Sequence, residues 1–262
     1  MLQKTTVTSC RNSILSGYAD TDRFSPKKIG VLPCDMQREP EKLLKNGSST
    51  IAFVDENFFI KCNPVRSRFD ALRKLFRKSR AENSRVMSQK LFDLGIPTPQ
   101  VVCAVRERQG HKIVCDYLVT DVLPEETTVF LSRLRFFELE KQAEIITKIA
   151  SILKLLNQNG ICHGDASLRN FYLDTTSNKV GVIDLDGCKT IAYWQRKNIL
   201  IKETARVISS FMICSKNPSS ENYQFALQIF ENVYGKDVLP EQILQKRVDK
   251  FIRKTTKKQR QV

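Results

Sequence analysis

An acid, an amide and a further acid pair lie close together in the chain. Asp165 and Asn170 are in "HGDASLRN" (163–170), and Asp184 and Asp186 are in "VIDLDG" (182–187). This spacing constrains the fold more than any other feature because it comes with a defined local context. Before it runs the longest helical signal, Phe136 to Gln158, with Leu139, Ala143, Ile146, Ile149, Leu153 and Leu156 on one face and "NQNG" as its stop. After it, "NFYLD" and "KVGVIDLD" read as a short hairpin that carries the motif.

Upstream, residues 1 to about 45 are punctuated by Pro26, Pro33 and Pro40 and show no sustained period, so an irregular or partly stranded lead-in is expected. "TIAFVDE" and "NFFIKC" follow as a hairpin ending at Lys61. Apolar Phe69, Leu72, Leu75, Phe76, Val86, Leu91 and Leu94 then recur at helical spacing until Gly95. "GIPTP" is extended, since proline restricts the residue before it, and feeds a second hairpin that turns at Gln109 and Gly110 and closes at Pro124. From about Trp194 the chain reads as helical with a basic tail. The order predicts an α+β fold: a small antiparallel sheet lobe with a helix, residues 1–123, and a mainly helical lobe, residues 124–262. A cleft between such lobes is a common place for a nucleotide.

With 262 residues and 41% hydrophobic side chains the chain can bury a substantial core, so disorder is not the default. A formal charge of +15 favours polyanions, acidic lipid headgroups or phosphorylated substrates without choosing among them. Eight cysteines include no Cys-x-x-Cys pair and only two histidines are present, so the cysteines are read as reduced packing residues. No apolar run approaches the roughly 20 residues of a bilayer-spanning helix, and the first residues are too polar for a secretory signal. A cytoplasmic protein is expected, with attachment to an anionic membrane surface left open.

Transfer of a γ-phosphoryl group asks a protein mainly for positioning and charge neutralisation, with Mg²⁺ taking oxygen ligands, few of them from protein. Asp165 supplies an acid to face an acceptor hydroxyl, Asn170 an amide oxygen for metal, and Asp184 an acid on the next strand. That is the chain order of the catalytic Asp, the catalytic-loop Asn and the metal-binding Asp of kinases. His163 is expected to hold the loop by hydrogen bonds; Asp186 either assists the metal or orients the loop, and Arg169 either contacts the transferring phosphate or braces the loop. Lys61, at the end of an apolar strand and ahead of a helix, has the placement of a lysine that pairs with the α- and β-phosphates of ATP. Glu82, the only glutamate between Lys61 and Gly95, is its candidate partner, with Asp70 as competitor. "TDVLPEE" (120–126), with Asp121 near its start, either holds an adenine through its backbone or is a plain surface connection. Arg66, Arg68, Arg73, Lys74, Arg77, Lys78, Arg80 and Arg85, and the C-terminal "KFIRKTTKKQR", either attract an anionic acceptor or membrane or are solvated faces.

"HGDASLRNFYL", "VGVIDLDGCK", the preceding "LFDLGIPTPQVVCAV" and the following "WQRKNILIKETARVISSF" together resemble the lipopolysaccharide kinase family, from about Phe58 to Phe211. The resemblance implies a protein-kinase-like fold, with ATP and Mg²⁺ as cofactors. As acceptor it implies a heptose or Kdo hydroxyl of the lipid-linked lipopolysaccharide inner core, at the inner face of the inner membrane. It also implies Asp165 as catalytic base, Asn170 and Asp184 as metal ligands, and Lys61 as the ATP-phosphate lysine. The chain departs from the pattern in three ways. The helix acid is expected nearer Ser84 than Glu82, Gly164 stands where many protein kinases have arginine, and no Ala-Pro-Glu follows. The last two favour a glycan or small-molecule acceptor over activation-loop regulation.

Two other functions compete. A kinase of the same fold acting on an aminoglycoside, choline or another soluble alcohol would use "HGD" and "IDLD" equally well; the basic helix after Lys61 favours a phosphorylated, membrane-held acceptor. A non-catalytic basic module holding lipid or nucleic acid has no chemical need for Lys61, Asp165, Asn170 and Asp184 together. A nucleic-acid binder also interleaves exposed aromatics with its charges, whereas Phe69 and Phe76 follow the buried spacing, so no nucleic-acid partner is expected.

Overall fold

The computed structural model describes residues 1–38, 43–46, 50–55, 57–65, 67, 69, 79–215 and 219–259. The chain divides into two compact units, Met1–Lys90 with Pro99–Leu123, and Leu91–Thr98 with Pro124–Val262.

The first unit is built on strands β1 (Gln3–Thr8), β2 (Ile14–Ala19), β3 (Leu43–Asn46), β4 (Ile51–Asp55), β5 (Phe58–Pro64), β6 (Val101–Gln109) and β7 (Lys112–Asp121). They form one antiparallel sheet in the order β1-β2-β6-β7-β5-β4-β3. Both expected hairpins are present, pairing Asp55 with Phe58 and Gln109 with Lys112. β5 runs on to Pro64, so Lys61 lies within the strand and does not end it.

The lead-in is more ordered than its composition suggests. Pro26 and Pro33 belong to helix α1 (Pro26–Arg38), where Pro26 occupies the first helical position, one that needs no N–H, and Pro40 lies outside the described residues. β2 joins β6 at close range because Gly17 has no side chain: a Cβ there would lie 2.1 Å from the Ala104 carbonyl oxygen. Leu15, Phe24, Ile29 and Leu32 thereby share a core with Ile60, Cys62, Val105 and Val119 of the sheet. This docking also joins Cys10 to Cys34 in a disulfide, which corrects the reading of eight reduced cysteines; of the six others, five are buried.

Helix α2 (Arg80–Asp93) contributes Ala81 to a smaller cluster with Val101, Ala104 and Leu118. The helical period was expected from about Arg66; Phe69 is helical, and a helix start falls at Ser79, whose Oγ accepts from the Glu82 N–H at 2.9 Å. Arg66, Arg68, Asp70, Arg73, Lys74, Phe76, Arg77 and Lys78 lie outside the described residues. Phe69, expected to be buried, is exposed.

The second unit contains β8 (Thr128–Phe130), α3 (Leu139–Gln158), β9 (Ile161–Cys162), β10 (Phe171–Asp174), β11 (Lys179–Val182), β12 (Lys189–Thr190), α4 (Arg196–Cys214), α5 (Ser220–Tyr234) and α6 (Glu241–Gln259). β8, β10 and β11 form a three-stranded sheet, and β9 pairs with β12. α3 buries Ile146, Ile149, Leu153 and Leu156 as its period predicts and ends through Gly160 at φ +66°. α4 is buried around most of its circumference, the pattern of a central helix. Among the described residues no helix is long and apolar enough to cross a membrane.

Candidate active site

In the second unit the loop after β9 carries His163, Gly164 and Asp165 into a short 3₁₀ turn, Leu168–Asn170, that leads directly into β10. Asn170 is the joint of the site. Its buried side-chain Nδ2 donates to the Asp165 carbonyl oxygen at 2.7 Å, and its own carbonyl accepts from the Ile183 N–H at 2.9 Å. Ile183 follows β11, which pairs with β10 through Phe171 and Val182, so the hairpin delivers the next residue, Asp184, to the same place. Asp184 adopts left-handed backbone angles, φ 59° and ψ 58°, uncommon for a residue with a side chain and characteristic of a site where geometry is imposed. Asp165, Asn170 and Asp184 are thus brought together.

The loop fits against the segment after Asp184 with no space for a side chain. Gly164 has φ +85°, and a Cβ on it would lie 2.2 Å from the Gly187 carbonyl oxygen. The arginine that many protein kinases place here would not fit.

Helix α4 holds the loop through a stripe at i, i+3 and i+7. Glu203 Oε1 accepts from the Gly164 N–H at 2.6 Å. Arg206 donates through a terminal nitrogen to the Gly164 carbonyl at 2.9 Å and sets Nε 3.0 Å from Asp165 Oδ1. Ser210 Oγ accepts from the Leu168 N–H at 3.0 Å. Arg206 itself lies over the Phe251 ring of α6, 5.1 Å from its centroid. Sequence reasoning did not single out these three residues. The available signal was a glutamate in helical register with Leu200, Val207 and neighbouring apolar residues, a face where only a partnered charge is tolerated.

Glu203 is 3% exposed, and burial pushes its carboxyl up to about 7 against the opposing pull of the Gly164 and His163 backbone groups and of Lys202 and Arg206. Its second oxygen, Oε2, is buried without a hydrogen-bond partner. His163 is fully buried, and burial lowers its pKa despite the nearby Asp165 and Asp184 carboxylates, so the imidazole is neutral. Its Nδ1 accepts a long hydrogen bond from the Asp165 N–H at 3.4 Å, the loop-holding role expected of it. Arg169 is exposed and donates to Asp165 Oδ2 at 3.2 Å, a bracing contact.

In the first unit Lys61 pairs in register with Ala52 and Leu118 and alternates with Ile60 and Cys62 of the core, which places it on the sheet face opposite to theirs. Leu118 shares that face with Ala104 and packs with Ala81 of α2. Glu82 was expected to pair with Lys61 but engages Arg85, whose Nε and terminal nitrogen donate to its two carboxylate oxygens at 3.0 and 2.8 Å. The reason is local: both lie on one helical face three residues apart, and Arg85 is further fixed over the Tyr18 ring at 4.1 Å. Asp121 ends β7; its carboxylate accepts from Arg23, and its N–H donates to the Gln100 carbonyl at 3.0 Å.

The donor set suits a hard cation. Asn170 spends its amide nitrogen on Asp165, which leaves Oδ1 as the atom a metal would take, and Asp184 contributes an exposed carboxylate. Among the described residues no three His, Cys, Asp or Glu side chains cluster to hold a metal. Two protein oxygens with the remainder from phosphate and water is the arrangement Mg²⁺ accepts.

Comparison with known proteins bears on the family and the fold. The family model "Lipopolysaccharide kinase (Kdo/WaaP) family" matches residues 66–223, more than half of the chain. A curated relative, the EKC/KEOPS complex subunit BUD32 of Enterocytozoon bieneusi (strain H348), is 24% identical over 143 residues, which cover 54% of this chain and 69% of that protein. Among solved structures, WaaP in complex with acyl carrier protein is similar with 16% identity and a TM-score of 0.55, over 81% of this chain and 88% of that one. WbdD is similar with 16% identity and a TM-score of 0.50 over 78% of this chain, which spans 49% of the WbdD chain. These structural likenesses show the protein-kinase-like fold expected from the sequence. The extent of the family match identifies the chain as a member of the lipopolysaccharide kinase (Kdo/WaaP) family, whose reaction is phosphoryl transfer to a sugar hydroxyl.

Proposed function

We propose that the protein transfers the γ-phosphoryl group of ATP to a heptose or Kdo hydroxyl of the lipopolysaccharide inner core, with Asp165 as the base. The observation that carries this reading is the double role of Asn170, whose side chain is bonded to the Asp165 backbone and whose carbonyl is bonded to the residue before Asp184. Asp165 accepts the hydroxyl proton as the sugar oxygen bonds to the γ-phosphorus and the bridging β–γ oxygen departs with ADP. Asn170 Oδ1 and the Asp184 carboxylate would hold Mg²⁺. When bound there, the ion neutralises charge on the phosphate oxygens. Arg169 and Arg206 fix the Asp165 carboxylate from two sides. Lys61 steadies the α- and β-phosphates, and an adenine is held by the backbone of "TDVLPEE" (120–126) through groups other than the Asp121 and Val122 N–H, which are bonded to Gln100 and Asn57.

A lipid-linked acceptor brings the enzyme to the anionic inner face of a membrane, a placement that the charge of +15 favours. Incubation with labelled ATP, Mg²⁺ and core lipopolysaccharides of defined truncation, beside a panel of soluble amino-alcohols, tests the reading. Label is expected on the glycolipid; label confined to the soluble panel rejects the acceptor assignment.

A further inference from the structure

Tyr193 and Trp194 are 80% and 82% exposed, at the short 3₁₀ turn Tyr193–Gln195 that precedes α4. Two large aromatic side chains in water are unfavourable unless something covers them. We propose that this turn is an interfacial anchor that docks the second unit on an anionic lipid surface.

Three observations support a bilayer as the occupant. Consecutive side chains of a 3₁₀ turn diverge by about 120°, so one flat sugar ring cannot stack on both, whereas an interface admits both rings at headgroup depth. Between Cys188 and Lys202 the chain carries Lys189, Arg196, Lys197 and Lys202 and no acid. The three lysines are exposed and form no ion pair among the described residues, while Arg196 lies 5.4 Å from the Tyr193 ring centroid. Exposed cations close in sequence to exposed aromatics, with no acid between them, suit an anionic headgroup layer.

The turn is also mechanically continuous with the catalytic loop. β12 pairs Lys189 with Cys162 and Thr190 with Ile161, the Ile191 N–H donates to the Gly160 carbonyl at 2.8 Å, and His163 is the next residue after β9. Docking would set the catalytic loop at a fixed height above the bilayer. That consequence, unlike the docking itself, rests on the glycolipid-kinase reading.

Trp194 is the sole tryptophan of the chain, so its emission reports this turn alone. With vesicles of equimolar phosphatidylethanolamine and phosphatidylglycerol, the emission should shift to the blue and be quenched by brominated acyl chains. Vesicles of phosphatidylcholine alone should give a much weaker response, and added salt should reverse the binding. In co-sedimentation, the double variant Tyr193→Ala, Trp194→Ala should partition about tenfold less. Three results would overturn the proposal: absence of vesicle binding, binding with unchanged Trp194 emission, or a shift produced by delipidated core oligosaccharide and not by vesicles. Docking without phosphorylation of any glycolipid would leave the anchor standing and remove the proposed function instead.

Discussion

Arg206 and Asp165 form an ion pair at 3.0 Å, Nε to Oδ1, and the Arg206 guanidinium donates to the carbonyl of Gly164. One side chain of the central helix thus holds both the carboxylate proposed as the base and the peptide that precedes it. Arg206→Ala should lower kcat about 100-fold while nucleotide affinity, read by titration with a fluorescent analogue, changes by less than about twofold. Arg206→Lys should recover part of the loss, since it keeps the charge and loses the planar fork. An unchanged kcat would mean that the contact has no part in orienting Asp165.

Gly164 is the position least able to change. At φ +85°, and with a Cβ directed to within 2.2 Å of the Gly187 oxygen, alanine forces two backbone segments apart. Gly164→Ala should lower the unfolding free energy by about 2–4 kcal/mol, measured by denaturant titration, and reduce turnover of the protein that remains folded.

The buried Glu203 carboxyl makes stability depend on pH. Its folded value is about 7 against an ordinary 4.5, so between these values the folded protein holds a proton that the unfolded chain has released. Its favourable contribution is full below about 4.5 and is lost as pH rises through 7, a change on the order of 3 kcal/mol. Glu203→Gln keeps an acceptor for the Gly164 N–H and removes the titration. The difference in unfolding free energy between wild type and variant should therefore drift in the variant's favour from pH 5 to pH 8, and a constant difference would contradict the assignment.

Metal dependence tests the proposed ligands. Asp184→Asn should raise the Mg²⁺ concentration for half-maximal turnover at least about tenfold, and Asn170→Ala should do likewise, with little change in thermal stability for the exposed Asp184. Equal Mg²⁺ dependence in wild type and both variants would mean that the metal is held elsewhere.

The site was legible where its signals are local. Helix, stop, loop and hairpin each announce themselves within a few residues, and Asp165, Asn170 and Asp184 follow from their spacing in that context. What was missed depends on contacts distant in sequence. Glu203, Arg206 and Ser210 form a stripe whose meaning appears only when α4 lies against the loop. β1 and β2 alternate weakly and join the sheet only because β2 pairs with β6, far along the chain, and Cys10 meets Cys34 only once α1 docks on β1. Glu82 is a different case. Its carboxylate takes Arg85, a partner three residues on along the same helical face, which is nearer in the chain than any strand lysine.

The most direct test of the account is phosphoryl transfer by Asp165→Asn. Wild-type protein with labelled ATP, Mg²⁺ and lipopolysaccharide core should place label on an inner-core sugar. The variant should do so roughly a thousandfold more slowly while binding nucleotide with similar affinity. Turnover by the variant at near the wild-type rate would contradict the assignment of Asp165 as the base.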